Sequence, residues 1–200
     1  MKKVLLLSAL VGLLAVSCDT KTRLVEKIEG SWSSTPEQLQ STPGTQSTVV
    51  RVFDFERTPG KTEGTVTMKA LITVDNAVGA SETLTAPVSV TASGVATISG
   101  SYMAKDDDDL LVTLDYSTLS VSVDPQGVAL DYNVLTQESA PDLETLRPGA
   151  VRLVTQQITR AAQTIFSNVT EIEDIKINNH LMSCEIGHRD LTLRAVQPQP

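Results

Sequence analysis

The chain has 200 residues, with 16 Lys and Arg against 24 Asp and Glu, and a formal charge of −8. A net-acidic chain without a basic cluster is a poor partner for phosphate backbones, which argues against nucleic-acid binding. Its 40% hydrophobic content suits a single packed domain, and two cysteines are too few for a disulfide framework.

Lys2 and Lys3 open the chain, Val4 to Leu14 is uncharged and mostly aliphatic, and Ala15-Val16-Ser17-Cys18 follows. A positive start, an apolar run of secretory length and small residues before a cut site predict a signal peptide over residues 1–17. The run is shorter than the roughly 20 residues of a membrane-spanning helix, and no later stretch approaches that length. Ala15 to Cys18 resembles a lipobox, with Ala15 where Leu is commonest. The resemblance implies a new amino terminus at Cys18, with a diacylglyceryl group on its thiol and a further acyl chain, such as palmitate, on its amine. At about 0.8 kcal/mol per buried methylene, several chains anchor a protein permanently. Removal of Lys2 and Lys3 would take the formal charge from −8 to −10. Asp19 resembles an inner-membrane retention signal of enteric bacteria. Residues 19–23 lack the acidic cluster of surface-exported Bacteroidota-type lipoproteins. The expected address is the envelope of a Gram-negative cell, at the outer membrane and facing the periplasm. Residues 18–27 are expected to be a lipidated tether, 28–196 a single β-rich domain, and 197–200 a disordered tail.

Period-two alternation dominates the rest, the mark of half-buried strands. It starts with the strand Val49 to Arg57. Val66, Met68, Ala70, Ile72 and Val74 share one face, opposite Thr65, Thr67, Lys69, Thr73 and Asp75. Leu84, Ala86, Val88, Val90 and Ala92 form a second such stripe. Ser93-Gly94 predicts a tight turn, with Ala96, Ile98, Gly100 and Tyr102 as a separate strand after it. Leu110 to Tyr116 and Leu119 to Val123 read as two further strands. Asp124-Pro125-Gln126-Gly127 reads as a turn before Val128, Leu130 and Tyr132. Short Val- and Thr-rich strands joined by Gly, Pro and Asp turns predict an antiparallel barrel or a related sandwich.

Ser139 to Asp142 predicts a polar loop. From Pro148 the period changes: Val151, Val154, Ile158, Ala161, Ala162 and Ile165 follow helical spacing. This predicts one amphipathic helix over about 148–167, plugging or flanking the barrel. Strands resume at Ile175 and Ile177, Met182 to Ile186, and Leu191 to Val196 after the turn Gly187-His188.

Ile28-Glu29-Gly30-Ser31-Trp32 resembles the opening of lipocalin-like proteins, where a Gly-x-Trp begins the first strand and the Trp closes one end of the barrel. Gly100-Ser101-Tyr102 to Asp109-Leu110-Leu111-Val112-Thr113-Leu114 is similar to a Gly-x-Tyr, acidic turn and Leu-rich strand of lipocalin-like bacterial lipoproteins. The resemblance spans residues 28 to 135 and implies a small barrel that binds an apolar molecule.

Catalytic and metal signals are thin. His180 and His188 read as exposed turn residues without a third zinc ligand at a helical spacing. Gly-x-Ser-x-Gly elbows and phosphate-cradling Gly-rich loops are missing from the sequence. Asp106 to Asp109 places four carboxylates in succession, whereas calcium loops alternate their ligands, so a solvated hairpin turn is expected. Cys184 alternates with Met182 and Ile186, which predicts a small buried hydrophobe. Trp32, Phe53, Phe55 and Tyr102 are expected to pack in the core. No cofactor, metal or catalytic residue is therefore expected, and Cys18 as lipid attachment is the one assigned site. The expected role is non-enzymatic: the small inward residues Ala70, Ala86, Ala92, Ala96 and Gly100 would leave room for a small apolar ligand. The alternatives are a protein or glycan interaction module of the envelope and, less favoured, an envelope-polymer hydrolase.

Overall fold

The computed structural model describes residues 20–39, 44–79, 82, 86–132 and 142–196. Residues 1–17, Cys18, 83–85, 139–141 and the tail 197–200 lie outside them. Residues 20–28 form a helix, α1. The strands before the second helix are β1 (Gly30–Ser34), β2 (Glu37–Gln38), β3 (Thr45–Arg57), β4 (Glu63–Val78), β5 (Val88–Ala104), β6 (Leu110–Val123) and β7 (Ala129–Asp131). Helix α2 (Leu143–Ser167) follows, then β8 (Glu171–Asn178), β9 (Leu181–Glu185) and β10 (Asp190–Ala195). All pairings are antiparallel. They run β1-β10-β9-β8-β6-β5-β4-β3, and β3 returns to β1, so the sheet closes into a barrel. Strand β2 pairs with β3, and β7 with β5, outside this ring.

The closed part is confined to one end, because the strands differ greatly in length. Strand β5 has 17 residues and β1 only 5. Strand β1 meets β3 only at Val52 to Phe55, and β8 meets β6 only at Leu110 and Leu111. Beyond these contacts β3 to β6 continue as an open, curved sheet, and α2 packs on its concave face. The alternating pattern of β4 explains which face that is: Val66, Met68, Ala70, Ile72 and Val74 are buried, while the threonines face outward. Outward hydroxyls pair across strands, as in Thr73 Oγ1 with Ser93 Oγ at 2.9 Å.

Helix α2 presents Leu146, Ala150, Val154, Ile158, Ala162 and Ile165 to the sheet at steps of three and four residues. It begins at Leu143, five residues before the expected start at Pro148. Asp142 is its N-cap, accepting the Glu144 N–H at 3.1 Å. Pro148 sits in the second turn, where its missing N–H leaves only the Glu144 carbonyl without its usual donor.

Two other expectations are corrected. Ser93-Gly94 is not a turn: β5 passes straight through, and Gly94 faces inward between Ala92 and Ala96. A Cβ there would lie 2.7 Å from Ile158 Cδ1, so this glycine gives α2 its seat. Leu110 to Tyr116 and Leu119 to Val123 are one strand, β6. Its pairing jumps from Ser99↔Asp115 to Thr97↔Ser120, a bulge that loops out Tyr116 to Leu119. Asp115 accepts the Ser117 N–H at 2.9 Å, and Thr118 Oγ1 takes the Ser99 N–H that the ladder would otherwise use.

Candidate functional site

The expected tether is instead part of the body. Leu24, Val25 and Ile28 of α1 are buried, and the chain enters β1 directly through Trp32. The Trp32 indole donates to the Ile28 carbonyl at 2.8 Å, holding the end of α1 against the barrel. On the outer side Arg57 bridges to Glu26 at 3.2 Å and to Glu29 at 2.7 Å. Beside them, Asp54 of β3 accepts from Ser31 across the β1–β3 seam that closes the ring, and from Lys69 of the neighbouring β4. Cys18 itself lies outside the described residues.

The four aromatic residues fill the closed end, as expected. Phe53 and Phe55 stack with centroids 6.1 Å apart, and Tyr102 meets Phe55 edge-on at 5.4 Å. Tyr102 lies over Gly64, where a Cβ would come within 2.7 Å of its hydroxyl. Burial, then the nearby Glu29 charge, pushes its phenol up to about 12.

Of the small inward residues, Ala70, Ala92 and Ala96 are buried on the inner face of β4 and β5. A Cβ on Gly100 would lie 2.3 Å from the Thr113 carbonyl, so its smallness admits the neighbouring backbone. Ala86 is buried as well, and Leu84 lies outside the described residues.

A cavity of about 140 Å³ with mixed polar and aliphatic walls opens where the end of α2 meets β3 and the β9–β10 hairpin. Its floor is Arg51, whose inward position on β3 falls between Val49 and Phe53. The Arg51 side chain is only 8% exposed, and its Nη2 bonds Glu37 Oε2 at 3.2 Å. Its Nε is buried without a hydrogen-bond partner among the described residues, as is the other Glu37 oxygen. Burial, opposed by Glu37 and reinforced by Arg189, holds the guanidinium below its ordinary range. Arg189 lines the same cavity and is exposed. Sequence reasoning passed over Arg51, although a charge in the buried phase of Val49, Phe53 and Phe55 is a signal visible without a structure.

The remaining candidate residues fall where expected. Cys184 is buried, and desolvation pushes its thiol up to about 12, which keeps it protonated and inert at neutral pH. His180 lies in the β8–β9 turn, and His188 is 97% exposed at the β9–β10 tip. Asp106 to Asp109 form the β5–β6 turn, in which Asp106 accepts the Asp109 N–H at 3.0 Å and Lys105 N–H bonds the Asp109 carbonyl at 2.9 Å. Lys105 also pairs with Glu171 of β8. An open groove of about 510 Å³ on the outer sheet face is bordered by Met103 and Leu111, cross-strand partners that are 47% and 39% exposed.

The architecture defines a class: an antiparallel β-barrel whose ring closes over part of its length, with one helix packed on β4 to β6. Protein-family models give no match to the chain, and curated protein sequences give none either.

Proposed function

We propose that this protein is a lipoprotein of a Gram-negative envelope, held by acyl chains on Cys18, whose β domain binds a ligand or partner and carries out no catalysis. The observation that supports this most is the folded start of the domain. Helix α1 is in place by residue 20 and is locked by Leu24, Val25, Ile28 and the Trp32 bond. Two residues reach at most about 7 Å, so an acyl group on Cys18 would hold the body flush with the bilayer surface. Among the described residues no helix is long and apolar enough to cross a membrane. Growth with labelled palmitate should mark the wild-type protein and leave Cys18→Ser unmarked and unanchored. Equal label in both would overturn the assignment.

A protein-interaction role is the alternative, favoured by the exposed Met103 and Leu111 beside the outer groove. In-cell cross-linking from Met103 would then yield one reproducible envelope partner. A Met103→Glu, Leu111→Glu variant would lose it.

A further inference from the structure

We propose that the cavity floored by Arg51 is a binding site for a small organic carboxylate, one with a chain of only a few carbons. The inference names the ligand of the binding domain proposed above, and rests on that reading but not on the anchor. Four observations carry it.

Charge comes first. The cavity holds two guanidiniums, Arg51 and Arg189, and the only carboxylate paired with either among the described residues is Glu37. This local excess of positive charge stands in a chain of net charge −8. Glu37 counters one of the two guanidiniums, and an incoming anion would counter the other.

Unused bonding capacity comes second. The buried Arg51 Nε and Glu37 Oε1 both lack a partner among the described residues, so the pair is held by one bond, and a carboxylate displacing Glu37 would meet the guanidinium in planar two-point geometry. Arg189 at the rim would meet the same anion from the solvent side.

The walls come third. Leu39, Ile165 and Ile186 line the cavity together with Thr164 and Asn168. Aliphatic walls favour a carboxylate with a short hydrocarbon part over inorganic phosphate, which would leave them facing charge.

Volume is the fourth. About 140 Å³ equals roughly four or five waters at ~30 Å³ each. It is well below the roughly 300–1,000 Å³ of drug-sized ligand sites. A long acyl chain does not fit, and a carboxylate of two to five carbons does.

Titration of the full-length protein in detergent with sodium butyrate, followed by calorimetry and amide NMR, tests the proposal. The expected result is a Kd of about 1 mM or tighter, with shifts centred on Gly187 and Asn168 and with sodium phosphate much weaker. Arg189→Gln, on an exposed side chain, should keep the fold and weaken binding about tenfold. Glu37→Gln removes the competing carboxylate, so butyrate should bind it more tightly and raise its Tm further than that of wild type. A purely structural Arg51–Glu37 pair would give no such gain. Lack of butyrate binding, equal binding of phosphate, or binding indifferent to Arg189→Gln and Glu37→Gln would each overturn the proposal. Failed palmitate labelling would leave these results untouched, so the two readings fail separately.

Discussion

At the scale of single residues, the inner face of the barrel is where chemistry departs from pattern. Arg51 and Cys184 both occupy inward positions that periodicity would give to aliphatics. Cys184 meets that demand by staying neutral. Its folded pKa is raised to about 12 by desolvation, so below the ordinary thiol value folded and unfolded states bind the same proton. Above that value the unfolded chain releases the proton and the folded one keeps it, so stability falls as pH rises. Tyr102, also raised to about 12, acts in the same direction from about pH 10. The urea midpoint should therefore be flat through neutral pH and decline from about pH 9 towards 12. Cys184→Ala should flatten the first part of that decline and leave the Tyr102 part. A midpoint that declines identically in both proteins would exclude the thiol as its source.

At the scale of elements, the fold depends on the fit of α2 to the open half of the sheet. The inward residues of β5 from Val88 to Ile98 are small or aliphatic, and Gly94 lies close to α2, with Ile158 above it and the β6 backbone beside it. Gly94→Val should therefore destabilise the domain by roughly 1–3 kcal/mol through overpacking. Ile158→Ala should cost about 2–5 kcal/mol through the opposite error, a cavity. Urea denaturation of the two variants measures both, and a neutral Gly94→Val would show that α2 is not seated there. Sequence reading missed this glycine because Ser-Gly is a strong turn signal. Its phase was the contrary evidence: Ala92, Gly94, Ala96 and Ile98 keep one unbroken alternation, which a two-residue turn does not require. The bulge in β6 was hidden for a related reason. Ser117 and Thr118 break the alternation, and a local break looks the same in sequence whether the strand ends or bulges.

At the scale of the molecule, the N-terminal helix decides where the domain begins. A start at residue 28 looked natural because Ile28-Glu29-Gly30-Ser31-Trp32 resembles the opening of a barrel's first strand, which left residues 18–27 as a lipidated tether. The fold instead buries Leu24, Val25 and Ile28 within the common core. Full burial of such side chains is worth about 1.5–3 kcal/mol each, which adds to the helix hydrogen bonds and the Trp32 bond in offsetting the cost of ordering the helix. A chain beginning at residue 28 should consequently be several kcal/mol less stable than one beginning at residue 19. Comparing their thermal unfolding checks this, and matched Tm values would return α1 to the status of a tether.

What the sequence determined alone was whatever depends on local period and local turn chemistry. The strand faces, one amphipathic helix ending near Ser167, the acidic β5–β6 turn, the exposed histidines and the buried Cys184 all follow from neighbours a few residues away. The tertiary structure alone decided what long-range contact controls. Closure of the ring through β1 and β3, the occupation of the barrel's open half by α2, and the meeting of Arg51 with Glu37 and Arg189 join residues far apart in the chain. Alternation says which side chains point inward. It does not say what they will find there, because the space inside a curved sheet is defined only once the strands have closed and the helix has taken its place.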